Sequence, residues 1–219
     1  MKAVIFDMDG TLIDSVEFHA LAWQAAFREF GHDFDLATIR RQIGKGGDQL
    51  MPVFIAKPEI ERIGKQIEDR RGKIFAERYL SQIKPFPAVR DLFERLLADG
   101  TRVALASSAK SEELKAYKRI AGISDLLDAE TSSDDAEESK PHPDIFEAAL
   151  EKLGGLAPAE VIAIGDTPYD AQAAGKAGIR TIGLLCGGWS EPDLREAGCV
   201  EVYRDPADLL AHYEASALS

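Results

Sequence analysis

The chain has 219 residues, 45% hydrophobic and 29% charged, a balance that fits one large domain, or a core plus a small accessory domain, with its own apolar interior. With 38 acidic against 26 basic residues the formal net charge is -12, which argues against nucleic acid and anionic membranes as main partners but leaves a small anionic ligand open. Cys186 and Cys199 give no metal-ligand spacing and no disulfide framework, and no run approaches the ~20 apolar residues of a membrane span, so a cytoplasmic protein, monomeric or a small homo-oligomer, is expected.

In chain order, Ala3 to Phe6 reads as a short buried strand that breaks at Asp7-Met8-Asp9-Gly10-Thr11. Val16 to Phe30 predicts a helix, with Phe18, Leu21, Ala22, Ala25 and Phe30 at helical spacing and Gly31 as its stop. Asp14 and Ser15 stand where they would cap it. Further helical patterns cover Leu36 to Ile43, Gln49 to Ile55 and Glu59 to about Gln82, with no strand of comparable strength among them. Pro85 and Pro87 mark a return. Residues 14–84 thus predict a helical insert over the strand ends, a candidate lid, with 1–13 and 85–219 forming the main domain.

Past the insert, Ala88 to Ala98 and Asp144 to Leu153 predict amphipathic helices. Val103 to Ala106, Val161 to Ile164, Thr181 to Leu185 and a weaker Val200 to Tyr203 predict strands, and Ser132 to Ser139 an acidic, solvated loop. Strand alternating with helix implies an α/β fold: a Rossmann-like, doubly wound parallel sheet that binds ligands beyond the carboxyl ends of its strands.

Four segments then meet on one rim. Asp7 and Asp9 follow the first strand, Ser107 and Ser108 the second, Lys140 precedes a helix, and Asp166 and Asp170 follow Val161 to Ile164. Crowded carboxylates repel unless a cation sits among them, and an oxygen-only set suits Mg2+. Lys140 offers a compact positive charge, and the paired hydroxyls and backbone amides offer donors to phosphoryl oxygens. The set suits transfer of a phosphoryl group to a carboxylate.

The sequence resembles the haloacid dehalogenase-like hydrolase superfamily, in the subgroup of phosphoglycolate phosphatases and β-phosphoglucomutases. The matching pieces are DMDGT at residues 7–11, LASS at 105–108, SKPHPDIF at 139–146 and GDTPYDAQAA at 165–174, and the insert stands where the family carries its helical cap. The resemblance implies a Mg2+-dependent phosphatase of a small phosphorylated metabolite. It implies Asp7 as nucleophile and metal ligand. Asp9 is implied as general acid and base, binding the metal through its backbone carbonyl. Ser107 and Lys140 would hold phosphoryl oxygens, Asp166 would be the acidic metal ligand, and Asp170 a neighbour or indirect ligand.

In the cap, the stretch from Asp14 to Trp23 resembles the mutase branch, where a histidine at the place of His19 positions the general acid. Ile43 to Asp48 offers Gly amides and Lys45 toward the far end of a substrate, while Arg70, Arg71 and Lys73 read as a solvated face. Mutases usually carry Glu-Asp where this chain has Gly165-Asp166, and an arginine where it has Gly47, so phosphatase is preferred to mutase. A dehalogenase needs no Mg2+ and no acid at Asp9; a phosphonatase would need a cap lysine, for which Lys45 is the candidate. A non-enzymatic receiver-like phosphoaspartate switch would lack the insert.

Overall fold

A computed structural model describes residues 1–219. Six parallel strands form the sheet: β1 (Ala3–Phe6), β2 (Arg102–Ala106), β3 (Ala129–Thr131), β4 (Val161–Gly165), β5 (Arg180–Leu184) and β6 (Cys199–Tyr203), in the order β3-β2-β1-β4-β5-β6. The five strands expected from apolar runs are all present. β3 was not expected, because Ala-Glu-Thr carries no apolar run and pairs on one side only, with β2.

β1 lies at the centre and is buried on both faces, which is why Ala-Val-Ile-Phe has no polar alternation. Val4 and Phe6 face a core that continues into the helices after β1; Ala3 and Ile5 face a second core beneath helix Asp144–Lys152. Phe6 stacks on Phe93 with ring centroids 4.6 Å apart, so truncating Phe93 to alanine would cost about 3–5 kcal/mol.

Between β1 and β2 the chain forms helices α1 (Val16–Glu29), α2 (Leu36–Arg40), α3 (Gly47–Leu50), α4 (Lys57–Glu59) and α5 (Lys65–Arg78), and no strand. The long helix expected from Glu59 to Gln82 is divided into a π-helical turn at Ile60–Gly64, α5, and a 3-10 turn at Leu80–Gln82. α1 buries Val16, His19, Ala20, Trp23 and Phe27 along one stripe, and α5 buries Ile67, Ile74 and Phe75. The two connections to the sheet run side by side: Asp14 N donates to Lys84 O at 2.9 Å and Phe86 N to Leu12 O at 3.0 Å.

α6 (Val89–Ala98) precedes β2, and after β2 come α7 (Ser111–Ala121), α8 (Asp144–Lys152), α9 (Pro168–Lys176), α10 (Glu191–Glu196) and α11 (Pro206–Ala211), layered on both sheet faces. Part of the acidic run is structured: Ser132 caps a 3-10 turn, and Asp135 pairs with Lys152 at 2.7 Å. No helix is long and apolar enough to cross a membrane.

Candidate active site

Chain growth reverses between β1 and β4, since β2 and β3 extend one way and β5 and β6 the other. The loops after β1 and β4 therefore part and leave a crevice. Asp7 follows β1 and Asp166 follows β4, and both are buried. Thr11 ties them: its hydroxyl lies 2.8 Å from Asp166 Oδ1 and 3.2 Å from Asp7 Oδ2. Asp170 joins through the start of α9. Its Oδ2 accepts from Thr167 N and Oγ1 in a capping box, and the capped turn aims Oδ1 at the crevice. Oxygens of Asp7, Asp166 and Asp170 all lie within 4.8 Å of one another.

Lys140 closes this cluster from below. Its Nζ is 2.5 Å from Asp7 Oδ1, 2.8 Å from Asp170 Oδ1 and 2.8 Å from the Ala106 carbonyl, with no side-chain exposure. The Asp170 contact is an ion pair whose alignment is not that of a hydrogen bond. Burial alone would lower the Lys140 ammonium, but Asp170 and Asp7 together raise it above its usual value. Asp7 is raised too, which for a carboxyl favours the neutral form. Burial pushes its carboxyl up to about 7, helped by Asp170 and opposed by Lys140. Asp166 is raised too, by burial first and then by the Asp170 and Asp7 charges. Burial disfavours every charge here; Lys140 overcomes it because it faces two carboxylates, whereas each acid faces like charges as well as Lys140.

Asp9 points elsewhere. Its Oδ1 accepts from Ser15 Oγ at 2.6 Å and lies 2.9 Å from His19 Nε2. The His19 ring stacks on Phe75 at 4.0 Å, and Tyr117 Oη is 3.4 Å from its Nε2. Burial would raise the Asp9 carboxyl, but the His19 charge and the His19 and Ser15 hydrogen bonds outweigh it and hold Asp9 below its usual value. This corrects the capping role expected of Ser15, which sits at the N-cap of α1 without a side-chain cap bond and holds Asp9 instead.

The Asp9 side opens into a narrow pocket of about 40 Å3 between the sheet and the helical segment, whose walls include His19, Trp23, Lys45, Arg71, Ser108 and Glu113. Ser107 is fully buried, and its Oγ accepts from Ala109 N at 3.1 Å. Ser108 Oγ donates to Gly44 O at 3.4 Å, across to the helical segment. Lys45 Nζ donates to Gln42 Oε1 at 2.7 Å and lies 4.6 Å from the Tyr169 ring centre. Of the basic residues expected on a solvated face, Arg70 pairs with Glu29 on the surface. Arg71 does not conform: it is largely buried, 3.4 Å from Glu113 and over Trp23.

Residues 4–184 match the family profile described as haloacid dehalogenase-like hydrolase. The chain belongs to that family. It is 28% identical over 215 residues to the phosphorylated carbohydrates phosphatase of Thermotoga maritima, covering 96% of this chain and 97% of that protein. It is 30% identical over 193 residues to the phosphoglycolate phosphatase of Aquifex aeolicus, covering 85% of this chain and 86% of the relative. The crystal structure of a hydrolase from Pseudomonas syringae superposes with a TM-score of 0.89 at 29% identity, over 99% of this chain and all of that one.

Within this haloacid dehalogenase-like fold the acidic cluster fits a hard divalent cation. Asp166 Oδ2 is buried without a hydrogen-bond partner, a costly state for a carboxylate oxygen unless a ligand completes it. Two glycines keep the space beside it clear: a Cβ on Gly187 would sit 1.6 Å from that oxygen, and one on Gly10 2.4 Å from it. Gly10 also takes φ +85°, which lets the turn after β1 fold over the cluster. The side chains that gather are Asp7, Asp166 and Asp170; the Asp9 carboxylate is not among them, so any share of Asp9 in holding metal falls to its backbone carbonyl. The sequence reading assigned no role to Thr11 or Glu113. Thr11 stands inside the DMDGT motif, so its link between two acids was within reach; Glu113 is one of two adjacent acids in the first turn of α7 and carried no signal.

Proposed function

We propose that this protein is a Mg2+-dependent phosphatase of small phosphorylated metabolites that works through a phosphoaspartate at Asp7. The observation that carries the reading is the division of labour across one turn. Asp7 faces a buried cluster of acids, and Asp9, two residues on, faces the pocket beneath the helical segment.

Asp7, Asp166 and Asp170, with the Asp9 carbonyl as the resemblance implies, would hold Mg2+, which when bound neutralises charge on the phosphoryl oxygens and keeps Asp7 ionised. Lys140 places a permanent positive charge beside Asp7. Ser107 donates to no protein group, which leaves its proton for a phosphoryl oxygen. Asp7 attacks phosphorus; the ester P–O bond breaks as the bond from the Asp7 oxygen to phosphorus forms. Asp9 gives its proton to the departing oxygen, so the alcohol leaves neutral. A water then attacks phosphorus, Asp9 takes the water's proton, and inorganic phosphate leaves Asp7 regenerated.

Asp9 in the free protein is held as a carboxylate, the form needed for the second step. An incoming phosphoryl dianion raises its proton affinity and readies it for the first. Residues 14–84 act as a cap whose closure removes bulk water from this chemistry.

The mutase alternative gains no support from the geometry. A side chain at Gly165 would meet the Asp170 carboxyl carbon at 2.6 Å, and Gly47 puts no cation where a second phosphate would be gripped. The test is phosphate release from a panel of small phosphomonoesters in Mg2+ and in chelator, with isomerisation of glucose 1-phosphate followed alongside. Turnover that needs Mg2+ and disappears in Asp7→Asn is expected; chelator-resistant turnover, or a fully active Asp7→Asn protein, rules the mechanism out.

A further inference from the structure

Besides His19 and Asp9, the pocket contains a second ion pair that crosses from the helical segment to the sheet core: Arg71 on α5 and Glu113 on α7, Nη1 to Oε1 3.4 Å. Each partner is only half used. Arg71 Nε and Glu113 Oε2 are both buried, and neither has a hydrogen-bond partner. Unpaired buried groups of this kind are costly, and both residues line the pocket beside Asp9.

The complement of one free N–H donor beside one free carboxylate acceptor is a group that accepts once and donates once. A hydroxyl does both. A carboxylate accepts from Arg71 but brings like charge against Glu113 and Asp9. A methylene leaves both protein atoms unpaired. The Arg71 guanidinium lies 5.4 Å from the Trp23 ring centre, which orients its plane and sets an apolar surface beside it for the C–H face of a polyol.

We propose that Arg71 and Glu113 read a hydroxyl of the leaving group, so that the substrate is the phosphate ester of a neutral sugar or polyol and not of a hydroxy acid. This rests on the phosphatase reading above and adds to it the substrate's chemical class. Arg71 and Glu113 line the same pocket as Asp9, so the hydroxyl read belongs to the leaving group near the ester oxygen.

Two matched pairs of esters test it, each differing by one carboxylate in place of a CH2OH group: glycerol 1-phosphate against 3-phosphoglycerate, and 2-hydroxyethyl phosphate against 2-phosphoglycolate. In the wild-type protein kcat/KM should favour the alcohol of each pair by about tenfold or more. Glu113→Gln keeps shape and acceptor but removes the charge, and should shrink that gap by about tenfold. Arg71→Lys keeps the charge but lacks Nε, and should lower kcat/KM for both alcohols. A ratio is read within one preparation, so a purely structural role for the pair would leave it unmoved. Equal or reversed preference within the pairs, with para-nitrophenyl phosphate still cleaved, overturns the substrate inference and leaves the phosphatase standing. If no ester is cleaved, para-nitrophenyl phosphate included, both fall. Should Glu113→Gln fail to fold, the wild-type ratios decide the matter.

Discussion

Replacing Lys140 with methionine tests the charge balance on which the site depends. The ammonium sits 2.5 Å from Asp7 and 2.8 Å from Asp170 with no exposure, so methionine would keep the stem and leave three buried acids facing one another. Removing one partner of a buried pair costs about 3–5 kcal/mol. Against a typical total stability of about 5–15 kcal/mol, that is a third of the whole or more. The cost should depend on pH with a definite sign. Burial raises the folded Asp7 carboxyl from 3.8 to about 7, so the folded state holds this proton more tightly than the unfolded chain does. The stabilisation that protonation provides is present at low pH and is lost as pH rises through about 7; for Asp7 the full span corresponds to about 4 kcal/mol at most. Lys140 lowers Asp7, so its removal widens that span. In chelator, the urea midpoint of Lys140→Met should therefore fall far below wild type at pH 8 and recover more steeply than wild type by pH 5.5. A loss under about 1 kcal/mol at pH 8, or a pH slope equal to that of wild type, would refute the reasoning, because exposed ion pairs behave that way.

Asp9→Asn should lower steady-state phosphate release by about 10²–10⁴-fold while leaving the fold intact by circular dichroism. Gly187→Ala, whose Cβ would press 1.6 Å from Asp166 Oδ2, should weaken Mg2+ binding measured by calorimetry while sparing the far sheet edge. Mg2+ at about a hundred times its Kd should add about 2.7 kcal/mol and raise Tm by about 5–10 °C, and chelator should reverse it. Ala88→Gly should raise stability by about 1 kcal/mol in urea unfolding, because Ala88 enters α6 at φ 60, a conformation that costs a side chain and not a glycine.

The fold was legible wherever one segment carried its own signal. β1, β2, β4 and β5 are buried on both faces and so read as apolar runs, and α1 and α6 show apolar stripes because each lies on a single core. β3 was not legible, since a three-residue edge strand needs only its neighbour's backbone. At the site, Asp7, Asp166 and Lys140 could be placed together because each closes a motif at a strand end or helix start. The direction of a side chain could not be read. Ser15 looks like a cap in sequence, and only the turn through Gly10 brings Asp9 to its hydroxyl. Arg71 sits between Arg70 and Lys73 on one helix; whether it meets water or Glu113 is decided by how α5 lies on α7, which neither helix encodes alone.

The position of β1 in the sheet bears on how the protein is made. Its two neighbours, β2 and β4, begin at Arg102 and Val161, so a ribosome releases β1 long before either partner exists. At a synthesis rate of ~5–20 residues per second, Ala-Val-Ile-Phe waits ~5–20 s for β2 as an unpaired, sticky segment. The helices that emerge in that interval bury Met8, Leu12 and Ile13, the stretch next to it, in the same core as Trp23 and Phe27. They are positioned to shelter the nascent chain until the remainder of the sheet arrives.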